Sequence, residues 1–240
     1  MNRLKQIIEE SENIVLFSGA GISCGSGIPD FRSADGLYNK HADIKYRPEE
    51  IISHNFLLLH PDEFFEFYKK NMIYPDAKPN KAHLYFAELE KTGKLKAVVT
   101  QNIDDLHNLA GNKHVYKLHG SVYENYCIHC GKRFGLEYIM SSAGVPKCDI
   151  CGHMVRPDVV LYGENLDEDV WNNAVKKIEE ADCMIVAGTS LTVYPAANMV
   201  GAFHGKNLVL INKQATPYDG YANLVINDDI VKVTENLTNN

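Results

Sequence analysis

The sequence has no apolar run of about 18 residues, so a membrane-spanning helix is not expected. Its start, Met1-Asn2-Arg3-Leu4-Lys5-Gln6, carries no long apolar stretch. No secretory signal is expected, and a reducing cytoplasm is the expected compartment. There is no basic excess. Lys and Arg number 24 against 31 Asp and Glu, a formal charge of −7. That is the wrong sign for a protein that holds nucleic acid along a basic stripe, so no direct nucleic-acid partner is expected. Internal repeats and low-complexity tracts are also missing. What remains is an ordinary globular composition, 45% apolar over 240 residues. It suits one large domain, or a main domain with a small insert.

Six cysteines are present, and four of them are patterned. Cys127-x-x-Cys130 is followed after 17 residues by Cys148-x-x-Cys151. Each C-x-x-C places two thiolates on one side of a tight turn, at a spacing that tetrahedral Zn²⁺ accepts. Four thiolates close the site and leave no position for a catalytic water, so the expected metal is one structural zinc. A thioredoxin-like redox role for one pair is the rival, and the second pair argues against it. His129 and His153 lie inside the two turns and read as surface residues, because the cysteines already satisfy the metal. Cys183 opens an apolar run and reads as a small core residue.

Apolar runs alternate with helical periodicity. Asn13–Phe17, Leu95–Thr100, Val115–Leu118, Met184–Ala187, Leu208–Ile211 and Leu224–Ile226 read as strands. Ala82, Tyr85, Phe86 and Leu89 mark one helix face, and Trp171, Ala174, Val175 and Ile178 another. Pro195 is placed to open a further helix. The pattern predicts an α/β fold, a mainly parallel sheet covered on both faces, with ligands at the carboxyl ends of the strands. Residues 39–78 hold no clear strand, and 123–155 hold the cysteines and little core. Both read as excursions from the main sheet.

Gly19-Ala20-Gly21-Ile22-Ser23 follows the first strand, where backbone amides can approach a phosphate with no Cβ in the way. This is not the dinucleotide fingerprint G-x-G-x-x-G. Cys24 stands where the third glycine belongs, and no acid ends a second strand about 20 residues on. A hydride-transferring dehydrogenase is therefore disfavoured. Five more polar clusters end strands or follow this loop: Ser26–Ser33, Thr100–His107, Lys117–Ser121, Gly188-Thr189-Ser190 and Ile211-Asn212-Lys213. Each alone reads as a turn. Together they read as one crevice.

With these motifs in hand, the chain resembles the sirtuins, the NAD-dependent protein-lysine deacylases, and among them the small bacterial members. The matching stretches are GAGISCGSGIPDFRS (19–33), TQNIDDLH (100–107), LHGS (118–121), the four cysteines, VLYGE (160–164), GTS (188–190) and INK (211–213). The resemblance implies a Rossmann-type NAD-binding domain (1–38, 79–122 and 156–240). It also implies a small domain built from a helical module (39–78) and a zinc-ribbon module (123–155).

By motif, Gly19, Ala20, Gly21, Ser23, Cys24, Phe31 and Arg32 form the NAD loop. Gln101, Asn102, Ile103 and Asp104 meet the nicotinamide end. Gly188, Thr189, Ser190, Asn212, Lys213 and Ile230 hold the adenosine half. His119 is the implied general base, with Asn102 beside it. Val160, Leu161, Tyr162, Gly163 and Glu164 are implied to pair with an acetylated-lysine peptide by strand addition. His107 is given a structural role.

The implied reaction consumes NAD as a co-substrate. The acyl amide oxygen attacks the ribose carbon as nicotinamide leaves, and the products are nicotinamide, free lysine and O-acetyl-ADP-ribose. A histidine with an ordinary pKa of roughly 6.5 suits the proton removal this needs. The rivals are mono-ADP-ribosyl transfer to protein, and a zinc-containing NAD sensor without turnover. Family members that prefer succinyl or malonyl groups carry Tyr-x-x-Arg in the helical module. Here the stretch is Tyr68-Lys69-Lys70-Asn71, so Tyr68 is kept and the carboxylate-binding arginine is not. A neutral acyl group is expected.

Overall fold

The computed structural model describes residues 1–31, 36–37 and 45–238. Strands are β1 (Ile14–Ser18), β2 (Leu95–Thr100), β3 (Val115–Lys117), β4 (Gly120–Cys127), β5 (Arg133–Phe134), β6 (Val155–Val159), β7 (Cys183–Ala187), β8 (Asn207–Ile211) and β9 (Leu224–Ile226). Helices of the main layer are α1 (Asn2–Glu10), α5 (Lys81–Lys91), α6 (Leu106–Ala110), α8 (Glu168–Glu179) and α9 (Ile230–Thr238). Between α1 and α5 in the chain lie α2 (Pro48–Ile51), α3 (His54–Leu59) and α4 (Pro61–Asn71), and α7 (Leu136–Ser141) follows β5.

Six strands form one sheet in the order β3-β2-β1-β7-β8-β9, every pair parallel. The central strands are apolar along their whole length because both faces are covered. Side chains alternate between the faces. On β1, Ile14 and Leu16 pack with Leu4, Phe86 and Val233 of α1, α5 and α9. Val15 and Phe17 pack on the other face with Ala174 and Ile178 of α8. The segment after Pro195 differs from expectation. It is a 3₁₀ stretch, Ala196–Ala202, whereas an α-helix was expected. Val200 and Gly201 are poor α-helix formers, and the stretch is fixed by packing Ala196, Ala197 and Met199 under the sheet.

A second, antiparallel sheet has the order β5-β4-β6. It shares a separate core with the α2–α4 helices, in which Phe64, Phe65 and Tyr68 meet Val122, Ile139 and Val159. Residues 123–155 thus hold more core than their composition suggests. Lys69 at the end of α4 fastens the two parts: its Nζ donates to the carbonyls of Ser142 (2.6 Å) and Gly144 (3.1 Å). Among the described residues, no helix is long and apolar enough to cross a membrane.

Candidate active site

Strand order reverses at β1. The chain runs outward through β2 and β3 on one side, and through β7, β8 and β9 on the other. Loops leaving the strand ends therefore diverge and open a crevice. A cavity of about 400 Å³ occupies it.

Its floor is two glycine turns crossing at close range. Gly21 N–H donates to the Gly188 carbonyl at 2.8 Å. A Cβ on Gly21 would lie 2.8 Å from Gly188 Cα. Gly188 itself has φ +63, and a Cβ there would lie 2.4 Å from Ile22 N. Both positions require glycine. Gly19 sits beneath, with its would-be Cβ 2.6 Å from Thr189 Cβ, and it does not line the cavity.

Behind the cavity runs a chain of buried hydrogen bonds. Ser23 Oγ donates to Asp104 Oδ2 at 2.6 Å, and Asn102 Nδ2 donates to Ser23 Oγ at 3.0 Å. The Asn102 amide donates to Thr100 Oγ1 (3.1 Å), which also accepts from Ser18 Oγ (2.9 Å). Ser18 Oγ lies 3.0 Å from Nε2 of the buried His107. His107 packs edge-on against His83, ring centroids 4.9 Å apart. Burial holds both imidazoles neutral. It lowers His107 to about 4, against the pull of Asn112 and Glu90, and His83 to about 2 with the help of His107. Burial also raises the Asp104 carboxyl, which the Ser23 hydroxyl opposes.

His119 lines the cavity between this network and the second core. Its Nδ1 donates to the Gln101 carbonyl at 2.8 Å. That bond selects the tautomer with an unprotonated Nε2. Burial lowers its pKa, and the Gln101 carbonyl partly opposes the shift. His119 is therefore a neutral imidazole at neutral pH. Gln101 accepts from Thr189 Oγ1 at 2.9 Å, while its buried Nε2 has no partner among the described residues.

Ala20, Gly21, Ser23, Cys24 and Phe31 line one wall, and Gly188, Thr189, Ser190, Asn212, Lys213 and Ile230 the far end. Gln101, Asn102, Ile103 and Asp104 lie between them. Arg32 falls outside the described residues. The Cys24 thiol is pushed up by burial and by Asp30. Lys213 is tied to Asp229 at 2.7 Å. Asp228, Asp229, Val193 and Tyr194 also line the cavity. No strand-end motif marks them in the sequence.

At the opposite mouth, Val160–Glu164 is held from three sides. Tyr162 N–H donates to the Ile52 carbonyl (3.1 Å), and the Tyr162 carbonyl accepts from His54 N–H (2.9 Å). Val160 N–H donates to the His119 carbonyl at 3.0 Å. Glu164 accepts from Leu161 N–H (2.9 Å), lies 2.7 Å from His54 Nδ1 and pairs with buried Arg156 through both oxygens. Burial alone would raise this carboxyl; Arg156, Leu161 and His54 together hold it at about 2. The Glu164 side chain is thus spent on the loop itself. No hydrogen bond among the described residues engages the Gly163 backbone.

Tyr68 and Asn71 line the cavity from α4. Tyr68 is 1% exposed and its hydroxyl has no partner among the described residues. Asn71 Nδ2 donates to the Phe67 carbonyl at 3.0 Å. Lys69 is bound elsewhere and Lys70 is exposed. Among the described residues the cavity lining holds no Lys or Arg from α4, and Arg156, whose charge reaches Tyr68, is paired with Glu164.

Away from the cavity, the sulfurs of Cys127, Cys130, Cys148 and Cys151 lie within 4.8 Å of one another. Two S···S distances are 3.4 Å and 3.6 Å. A tetrahedral zinc with bonds of about 2.3 Å sets its sulfurs about 3.8 Å apart, so the four thiols fit that ion.

A parallel sheet with a cavity at its reversal point, together with a four-cysteine cluster, defines a nucleotide-binding α/β protein with a metal module. The Sir2 family model matches residues 19–195, and the chain belongs to that family. It is 57% identical to a Clostridium acetobutylicum NAD-dependent protein deacetylase, over 98% of this chain and 96% of the relative. A deacetylase of the same description from Cutibacterium acnes is 50% identical over 96% and 94%. Among solved structures, Sir2 with a p53 peptide and NAD⁺ aligns at TM-score 0.89 and 40% identity, covering 100% of this chain and 97% of that one. A Sir2 variant with deacetylated p53 peptide and 3′-O-acetyl ADP ribose aligns at TM-score 0.92 and 40% identity, with the same coverage.

Proposed function

We propose that this protein is an NAD-dependent protein-lysine deacetylase, with His119 as its general base. The observation that carries the base assignment is the hydrogen bond from His119 Nδ1 to the Gln101 carbonyl. It leaves a neutral Nε2 on the cavity side, in a half-buried setting that disfavours the imidazolium. The residues suit NAD as co-substrate. The unpartnered Gln101 amide nitrogen offers a donor in the middle of the cavity, and Ser190 and Asn212 offer polar groups at its far end. Bound NAD supplies an electrophilic ribose carbon as nicotinamide departs.

In this reading Asn102 and Asp104 orient the nicotinamide end, both held through Ser23. Phe31, Ile103 and Val122 keep water from the reacting centre. His119 Nε2 takes a proton from a ribose hydroxyl. Gly163, whose backbone groups are uncommitted, offers hydrogen bonds to an extended peptide, and Tyr68 closes the acyl end. One zinc held by Cys127, Cys130, Cys148 and Cys151 is structural. We assign NAD binding to residues 1–38, 79–122 and 156–240, and the small domain to 39–78 and 123–155. The separate core shared by the α2–α4 helices and the second sheet supports a small domain, although Val122, Val159 and Leu161 join that core from outside those bounds. A cytoplasmic setting suits a site built on reduced thiols.

The test is incubation with NAD and an acetyl-lysine peptide, followed by mass spectrometry. O-acetyl-ADP-ribose and free lysine are expected in equal amounts. NAD consumed with the acetyl group left in place would show ADP-ribosyl transfer, and saturable NAD binding without nicotinamide release would show a sensor.

A further inference from the structure

The zinc module carries two histidines that a four-thiolate site does not use. His129 directly precedes Cys130, and His153 follows Cys151 by two residues. Both are exposed, and their rings stack with centroids 4.1 Å apart and planes 9° from parallel. His153 Nδ1 donates to the Cys151 carbonyl at 3.0 Å, which leaves Nε2 as its free nitrogen. The His129 ring makes no hydrogen bond among the described residues and is held by the stack. One nitrogen of each ring and the Cys151 sulfur lie within 4.8 Å of one another. Of the four thiols, only Cys151 belongs to this second group.

We propose that the His129–His153 pair is a reserve ligand for the zinc at its Cys151 corner: when that thiolate is lost, one imidazole takes the fourth position. The inference rests on the four-cysteine zinc reading. Three thiolates and one imidazole make an accepted structural set, with a Zn–N bond about 0.2–0.3 Å shorter than Zn–S. A neutral imidazole in place of a thiolate also relieves repulsion among the remaining three. The incoming ring must leave the stack, and an exposed side chain reaches another staggered rotamer at little expense. An imidazole already within a few ångströms competes with water at high effective concentration. The geometry is lopsided. Cys151 alone among the four thiols groups with both imidazoles, and Cys130, although more exposed, does not.

The experiment compares wild type, Cys151→Ala, Cys148→Ala and the triple variant Cys151→Ala/His129→Ala/His153→Ala. Zinc per chain is read with a chromogenic chelator, and the ligand set from absorption of the Co²⁺-substituted protein. Wild type and Cys151→Ala should each hold about one metal per chain. Cys151→Ala should lose one thiolate's share of the sulfur-to-cobalt absorption and release zinc at about 10- to 100-fold lower chelator concentration. Cys148→Ala and the triple variant should hold little or none. Cys151→Ala as empty as Cys148→Ala, with the same result in Cys151→Ser, would overturn the proposal. So would a triple variant as full as Cys151→Ala. Wild type without zinc would instead overturn the zinc reading itself.

Discussion

Lowering the pH should destabilise this protein through two histidines that never meet solvent. His83 and His107 are 0% and 2% exposed, and they are held at about 2 and about 4. In the unfolded chain each returns to roughly 6.5. Both folded values are depressed, so below roughly pH 6.5 the unfolded state binds protons that the folded state refuses. Stability falls as pH falls, until pH reaches each folded value in turn. Between about pH 7.5 and about pH 5 each group costs about 2 kcal/mol, or about 4 kcal/mol for the pair. That is a large share of the 5–15 kcal/mol that holds a typical domain together. The assay is urea unfolding at both pH values for wild type and for His83→Gln/His107→Gln. Protonation of the zinc thiolates weakens both proteins in acid, so the difference between their pH responses isolates the two imidazoles. Wild type should lose about 4 kcal/mol more than the variant over this range. Equal losses, or an NMR titration of His107 near 6.5, would refute the reasoning.

His119→Ala should lower deacetylation on the order of 10²–10⁴-fold while NAD still binds by calorimetry; near wild-type turnover would remove the base assignment. Because burial lowers the His119 pKa, activity should fall with decreasing pH only below the ordinary histidine range, and an acid limb above roughly 6.5 would contradict this. With asparagine at position 71 in place of an arginine, acetyl-lysine should exceed succinyl-lysine by at least about 100-fold in kcat/KM, about 2.7 kcal/mol, and Asn71→Arg should narrow the gap; equal rates on both peptides would sink the argument. Arg156→Met should free Glu164 and misplace the 160–164 loop, lowering kcat/KM for the peptide on the order of 10²-fold with KM for NAD unchanged; a matching rise in KM for NAD would show a wider structural effect.

Much of the main sheet was legible because its strands are buried on both sides and read as unbroken apolar runs that stop at Gly, Asn or Ser. Those same stops place the polar clusters, so the sequence pattern alone brings Gly21, Asn102, His119 and Thr189 to one crevice. The second sheet hid itself. β4 carries a register shift between Ser121 and Asn125 that breaks its alternation. β5 is two residues long, and β6 holds Pro157 in its middle. The clamp on the 160–164 loop was invisible for another reason. His54 and Glu164 are 110 residues apart and meet only after folding. The His83–His107 contact likewise joins α5 to α6 and leaves no local pattern.

The grip of Lys69 on the Ser142 and Gly144 carbonyls makes the zinc module a splint for the wall of the cavity that Tyr68 and Asn71 form, the proposed acyl end. Tyr68 and Asn71 stand on either side of Lys69–Lys70 on the same helix, so the last turn of α4 is only as rigid as the loop after α7 to which it is pinned. A chelator that never approaches the cavity would unpin that turn from a distance. Its first symptom should be slack discrimination among acyl chains, arriving before NAD binding is disturbed.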